Sequence, residues 1–93
     1  MMSADAARVA VLFGGDSPER EVSLSSGGAL CAALEAADFI VEPLEADKAR
    51  SMLEMIGRSA ADVFFIALHG SWGEDGRIQA ALDLMGRVYT GSG

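Results

Sequence analysis

Two stretches of the chain are continuously apolar. Residues 9–13 and 63–68 carry no polar side chain, which is typical of strands buried on both faces of a parallel sheet. Residues 39–44 are a further candidate strand, and Pro43 within it predicts a place at the edge of the sheet, where a missing N–H group costs no ladder hydrogen bond. Residues 88–90 are a fourth, short candidate. The pattern therefore predicts four strands, with the first and third in the interior.

Three segments between these strands repeat apolar residues at three- and four-residue steps, which predicts amphipathic helices. They are residues 25–37, 47–59 and 77–85. The repeating positions are Ala29, Leu30, Ala33, Leu34 and Ala37 in the first segment, Met52, Leu53 and Ile56 in the second, and Ile78, Leu82 and Met85 in the third. We expect each set to form the face that its helix buries.

The alternation of strands and helices predicts a three-layer α/β fold, Rossmann-like, with helices on both faces of a four-stranded parallel sheet. Because the two most apolar strands should lie inside, we expect the spatial order 2-1-3-4. In that order the connections leaving strands one and three run in opposite directions, and a crevice opens where the carboxyl ends of those strands meet. The loops at that crevice are residues 14–21 and 69–75, so we expect a ligand to bind there.

Composition narrows the class of protein. The 93 residues form one domain, and the net charge of −7 opposes general affinity for nucleic acid or for an anionic membrane surface. Cys31 is the single cysteine, and the apolar run at residues 9–13 is too short for a signal peptide or a membrane helix. We therefore expect a cytoplasmic protein.

The first loop has a purely structural explanation. Gly14 and Gly15 let the chain leave the strand with positive φ, and residues 17–18, a serine followed by a proline, are typical of a helix start. Glu19 and Glu21 would then complement the helix dipole. The loop lacks the lysine of a Walker motif, and the chain has no G-x-G-x-x-G sequence. It therefore carries no nucleotide-binding fingerprint.

The second loop can be explained in the same way, with Asp75 as the N-cap of the last helix and Gly73 and Gly76 as turn formers. A lone histidine, His69, is more often satisfied by nearby backbone than used as a ligand, and it gives no zinc site. A phospho-receiver domain is excluded because it needs an acidic residue at the end of strand three, where this chain has Leu68. Local arguments leave the roles of both loops open.

Taken together, the loops resemble a known family. The segments "GGDSPEREVSLSSG" at residues 14–27, "HGSWGEDGRIQA" at residues 69–80 and "YTGSG" at residues 89–93 are similar to the amino-terminal domain of D-alanine–D-alanine ligases, which belong to the ATP-grasp family. The resemblance implies a pre-ATP-grasp domain that occupies residues 1–93. It also implies that the central and C-terminal ATP-grasp domains are absent from this chain.

The resemblance implies roles for particular residues. Glu19 would hold the ammonium group of the first D-alanine and is the expected catalytic residue, with His69 at the same subsite, where it would orient the substrate or assist its carboxylate. Val22 and Gly70 would shape the pocket wall, and Glu74 would take part in a polar network. The first D-alanine carboxylate would attack the γ-phosphate of ATP, and the amine of the second D-alanine would then attack the acyl phosphate.

Several expectations depend on the missing domains. ATP and magnesium would be bound by the full-length enzyme only, with no cofactor or metal held by this chain, and the isolated chain would be inactive. The full-length enzyme would make peptidoglycan precursor for the cell wall and would form a homodimer. A depsipeptide ligase that uses D-lactate at the second site is a variant of this hypothesis. The alternative is a free-standing small-molecule binding or interaction domain without catalysis.

The predicted sheet order also has a geometric consequence. Since neighbouring strands lie about 4.8 Å apart, loops that continue strands one and three should flank one crevice. We therefore expect the side chains of Glu19 and His69 to approach within roughly 5–12 Å, which leaves room for one small amino acid.

Overall fold

The computed structural model describes residues 7–15, 20–68 and 76–91. Four strands and three helices alternate along this part of the chain. The strands are β1 (Arg8–Gly14), β2 (Ile40–Ala46), β3 (Val63–Ile66) and β4 (Tyr89–Gly91), and the helices are α1 (Arg20–Ala36), α2 (Ala49–Arg58) and α3 (Arg77–Leu84). The predicted alternation of elements is confirmed.

The four strands form one parallel sheet in the order β2-β1-β3-β4. The predicted order is therefore confirmed, with β1 and β3 as direct neighbours inside the sheet. In the register, Val11 lies between Pro43 of β2 and Phe65 of β3. Pro43 lies on an edge strand, as its missing N–H group predicts. The pairing of β1 with β3 continues past the strand end, because the Ala67 N–H donates to the Leu12 carbonyl at 2.8 Å.

Helices α2 and α3 pack against each other and cover one face of the sheet. Alternate side chains of each strand point to this α2–α3 face. They form a closed core with the inner sides of the two helices and the segments beside them, in which every member is buried. Its members are Ala10, Leu12, Ala46, Met52, Ile56, Ala61, Phe64, Ile66, Leu68, Ile78 and Leu82.

Helix α1 covers part of the opposite face, which we call the α1 face. It lies against β1 and β2, where Val9 and Val11 are fully or nearly buried. Gly27 marks the closest approach, since a Cβ atom at this position would lie 2.5 Å from Cγ of Phe13. The strand residues alternate as expected, because Phe13 meets α1 while its neighbour Leu12 belongs to the closed core.

The buried side of α1 differs from the prediction. The helix begins by Arg20 rather than near Ser25, and its fully buried residues are Ser23 and Gly27. Leu30 and Leu34 are half-buried on the same side. The three alanines of the predicted face, Ala29, Ala33 and Ala37, are exposed. The apolar periodicity was misleading because the helix meets the sheet through Ser23 and Gly27. The three alanines lie on other sides of the helix or just past its end and are therefore exposed.

Smaller corrections concern the ends of elements. Gly76, with φ of 81°, occupies the N-cap position of α3, so the predicted cap at Asp75 is wrong. Glycine adopts positive φ more readily than other residues, which explains why a glycine occupies this cap position. Met85 follows the end of α3 and is exposed rather than part of its buried face. β4 begins at Tyr89, and Val88 before it is 63% exposed.

Candidate functional site

The carboxyl ends of β1 and β3 are joined by one buried hydroxyl group. Ser23 of α1 is 0% exposed. Its Oγ accepts a hydrogen bond from the Gly14 N–H at 2.8 Å and donates one to the Ala67 carbonyl at 2.7 Å. This side chain therefore fixes three elements at one point: the end of β1, the segment that follows β3, and the first turns of α1.

The exit from β1 is fixed against the end of β2. Gly14 and Gly15 have φ of 113° and 106°, as their sequence predicts. The Gly15 N–H donates to the Ala46 carbonyl at 2.9 Å. A Cβ atom on Gly14 would lie 2.4 Å from that same carbonyl oxygen, so both the backbone conformation and the available space require glycine at position 14.

The side chain of Arg20 also binds the backbone at the exit from β1. Its Nη1 donates to the Gly15 carbonyl at 2.9 Å and is 3.4 Å from the Ala46 carbonyl oxygen. Its Nη2 forms an ion pair with Glu45. Gly15 and Arg20, the described residues on either side of residues 16–19, are therefore tied together by the Arg20 side chain at the carboxyl edge of the sheet.

Of the five predicted site residues, only Val22 lies in the described part of the chain. Val22 lies on α1 and is 53% exposed, next to the buried Ser23. The other predicted positions, Glu19, His69, Gly70 and Glu74, lie outside the described residues. Glu19 directly precedes Arg20, and His69 directly follows Leu68, which is buried at the end of the β3 segment. The Glu19–His69 distance remains a prediction.

Sequence reasoning missed Ser23 and Arg20. The residue types alone gave no sign of a buried or paired role, because a serine or an arginine at the start of a helix is usually exposed. One signal was available for Ser23. It lies seven and eleven residues before Leu30 and Leu34, which places it in line with the half-buried leucines at helical spacing.

Two side chains outside the carboxyl edge of β1 and β3, Cys31 and Tyr89, have a raised pKa. Burial, and after it the carboxylate of Glu35, raise the pKa of the Cys31 thiol. Desolvation, followed by the carboxylate of Asp83, raises the pKa of Tyr89, whose hydroxyl donates to Asp83 at 3.2 Å. Both groups are therefore protonated near neutral pH, and neither supplies a base or a nucleophile to the carboxyl edge.

The described residues contain neither a cluster of metal-ligating side chains nor a membrane-spanning helix. Within residues 7–15, 20–68 and 76–91, no group of three or more His, Cys, Asp or Glu side chains is placed to hold a metal ion. None of the helices in these ranges has the length and apolar character needed to cross a bilayer.

Comparison with known proteins extends these observations. The family model described as "D-ala D-ala ligase N-terminus" matches residues 8–59 and 49–92. A D-alanine–D-alanine ligase of Azoarcus is 54% identical over 86 residues, and one of Pelobacter propionicus is 51% identical over 86 residues. Each match covers 92% of this chain.

A solved structure shows the same relationship in three dimensions. The D-alanine–D-alanine ligase of Bacillus anthracis, complexed with ATP, superposes with a TM-score of 0.81 at 32% identity and covers 91% of this chain. The chain spans 28% of that structure and 27% to 28% of the two bacterial relatives. The family model, the two relatives and the superposition agree that the chain belongs to the D-alanine–D-alanine ligase family.

Proposed function

We propose that this chain is the amino-terminal part of an ATP-dependent ligase that joins two D-alanine molecules, and that it supplies the subsite for the first of them. The family assignment supports the reaction. The observation that carries the subsite is the position of Ser23, whose hydroxyl joins the exits of β1 and β3. The two loops that follow these exits contain the residues proposed to touch substrate.

The connectivity supports a shared site for Glu19 and His69. Consecutive Cα atoms lie about 3.8 Å apart, so each residue must stay close to its described neighbour. Those neighbours are Arg20, which is tied to the exit of β1, and Leu68, which follows the carbonyl bound by Ser23. In open α/β sheets the crevice between such exits is the usual place for a ligand.

A carboxylate suits the task proposed for Glu19. D-Alanine is a zwitterion, and its ammonium group must be held while its carboxylate faces the phosphoryl donor. A charge-assisted hydrogen bond contributes roughly 1.5–3 kcal/mol. Arg20 already has Glu45 and a backbone carbonyl as partners, so its guanidinium group does not depend on the carboxylate of Glu19 for pairing.

The remaining residues have supporting roles in this proposal. His69 orients the first D-alanine or assists its carboxylate, and Gly70 lets the chain pass close to the substrate. Val22, exposed on the first turns of α1, forms an apolar part of the wall. Glu74 belongs to a polar network at the same edge.

ATP and magnesium binding are assigned to the rest of the full-length ligase. ATP supplies the phosphoryl group that activates the first D-alanine carboxylate. The described part of this chain contributes no cluster of metal ligands, so its own residues bind and orient substrate. We further propose a cytoplasmic enzyme of peptidoglycan synthesis that acts as a homodimer, and an isolated chain that does not turn over.

The test is the substitution Glu19→Gln in the full-length ligase, followed by steady-state kinetics. The amide keeps the shape of the side chain and removes its charge. We expect kcat/KM for the first D-alanine to fall roughly ten- to a hundredfold, while the KM for ATP stays nearly unchanged. Glu21→Gln is the matched control, since Glu21 is exposed in the first turn of α1 and should leave both parameters unaltered.

Two results would contradict the proposal. An unchanged kcat/KM for D-alanine in the Glu19→Gln variant would limit Glu19 to a role at the helix start. Phosphate release by the isolated 93-residue chain with ATP, magnesium and D-alanine, above that of a heat-treated sample, would contradict the division of labour between this domain and the rest of the enzyme.

A further inference from the structure

Within residues 7–15, 20–68 and 76–91, the helices cover the α1 face of the sheet over only part of its width. Helix α1 lies over β1 and β2, whereas the side chains that point to this face from β3, from β4 and from the residue just before β4 are less buried. They are Val63, Phe65, Val88 and Thr90, of which Val63 and Phe65 are half-buried and the other two exposed. The register confirms that they share a face, because Phe65 pairs with Thr90 and the buried Phe64 pairs with Tyr89.

The uncovered strip has the width of a helix. Two neighbouring strands span about 10 Å at 4.8 Å spacing, and an α-helix with its side chains is about 10–12 Å across. The strip on β3 and β4 therefore accommodates a single helix laid beside α1. Its floor is apolar except for Thr90.

The flank of α1 that borders this strip is built from small residues. Arg20 reaches toward Glu45 of β2 and so marks the opposite flank. With about 100° per residue, the side turned toward β3 carries Ser26 and Ala33. Both are exposed. Small side chains let a neighbouring helix approach closely, and this would explain why Ala33, which reads as part of a buried face, is exposed here.

We propose that this trough, formed by β3, β4 and the small-residue flank of α1, is filled by a helix from the polypeptide that follows Gly91 in the full-length protein. The inference rests on the proposal above that the chain continues into the rest of a ligase. Relatives have nearly three quarters of their length outside the matched part. Since the matching family model is that of the ligase N-terminus, this remainder follows it.

The topology favours this occupant. β4 forms one wall of the trough and is the last described element, so the segment that follows starts beside it. Helices α2 and α3 already fill the other face. Among the described elements, a segment that turns back from the β4 edge toward β1 therefore meets its free apolar surface on the α1 face.

The experiment compares two adjacent alanines in the full-length protein. Cysteine is introduced by Ala33→Cys or by Ala32→Cys, in both cases with Cys31→Ser, and maleimide labelling of the α1 peptide is followed by mass spectrometry. Both alanines are exposed in the present chain, but Ala32 points away from the sheet. We expect the cysteine at position 33 to react at least about tenfold more slowly than the one at position 32, which corresponds to about 1.4 kcal/mol of protection.

A second pair tests the floor of the trough. Val88→Cys should be protected relative to Leu84→Cys, since Leu84 is 89% exposed at the end of α3, away from the trough. Equal labelling rates within both pairs would overturn the proposal. Protection that disappears on dilution would also overturn it, because the occupant would then be a second copy.

These outcomes are independent of the proposed function. Labelling rates are measured without substrate, so an active ligase with a reactive cysteine at position 33 would contradict only the trough proposal. A protected cysteine in a protein that does not join D-alanine would contradict only the function.

Discussion

The α2–α3 face and the α1 face of the sheet are built from the same four strands, yet they bury their side chains to different extents. On the α2–α3 face, Leu12, Phe64 and Ile66 are sealed under two helices. On the α1 face, Val11 is sealed but Phe65, one residue from Phe64, is half-buried. One face is completed within the described residues, and the other is completed only over β1 and β2.

The closed core and the candidate site lie in different parts of the sheet. The closed core takes buried side chains from β1, β2 and β3 and stabilises the packing of these strands under α2 and α3. The candidate site lies at the carboxyl edge of the sheet, where Ser23 of α1 joins the exits of β1 and β3.

The largest expected effect is on the closed core. Phe64→Ala removes a fully buried ring, which Arg87 also covers at 5.3 Å from its centroid. We expect the free energy of unfolding to fall by about 3–5 kcal/mol. Phe65→Ala is the matched control on the α1 face, with an expected loss of about 1–2 kcal/mol because less apolar surface leaves contact with its neighbours. Urea unfolding of the 93-residue chain measures both.

Equal losses for the two phenylalanines would contradict the difference between the faces. The same pair also sharpens the trough proposal. In the full-length protein the loss for Phe65→Ala should approach that for Phe64→Ala, because a docked helix would bury Phe65 as deeply.

The fold was predictable from sequence because buried parallel strands are apolar on both faces. Residues 9–13 and 63–68 identified the two central strands, and Pro43 identified an edge strand. Helix-forming segments and the alternation of elements then left few topologies. The carboxyl edge between β1 and β3 followed from the strand order, so the location of the candidate site was predicted together with the fold.

The orientation of α1 was not predictable in the same way. Alanine is compatible with a buried and with an exposed position, so the spacing of Ala29 and Ala33 did not fix which side meets the sheet. Ser23 was missed because the carbonyl that it binds, on Ala67, is distant in the sequence and is brought near only by the fold. Arg20 was missed for the same reason, since its partner Glu45 lies on another strand.

An intermediate effect is expected at the bridge between the strand exits. Ser23→Ala leaves the Gly14 N–H and the Ala67 carbonyl without their buried partner. Each buried group left unsatisfied costs about 1 kcal/mol or more, so we expect the free energy of unfolding to fall by at least about 2 kcal/mol. Ser25→Ala, on the exposed side of α1, should change stability by less than about 0.5 kcal/mol.

The Ser23 variant also tests the link between the two loops. In the full-length ligase, loosening the strand exits should raise the KM for the first D-alanine more than the KM for ATP. A Ser23→Ala variant as stable as the Ser25→Ala control would show that the hydroxyl does not hold the exits together.

The smallest expected effects come from two adjacent glycines of α1, and they have opposite signs. A Cβ atom at Gly27 would lie 2.5 Å from Cγ and 2.7 Å from Cβ of Phe13, whereas one at Gly28 would meet nothing within 4 Å. Gly27→Ala should therefore push α1 away from β1 and cost about 1–3 kcal/mol. Gly28→Ala should stabilise the chain by about 0.5–1 kcal/mol, because alanine favours the helix without any new contact. Thermal unfolding of the two variants gives the comparison. If both lowered the melting temperature equally, α1 would not be seated on Phe13 through Gly27, and the assignment of its outer flank to the trough would have to be changed as well.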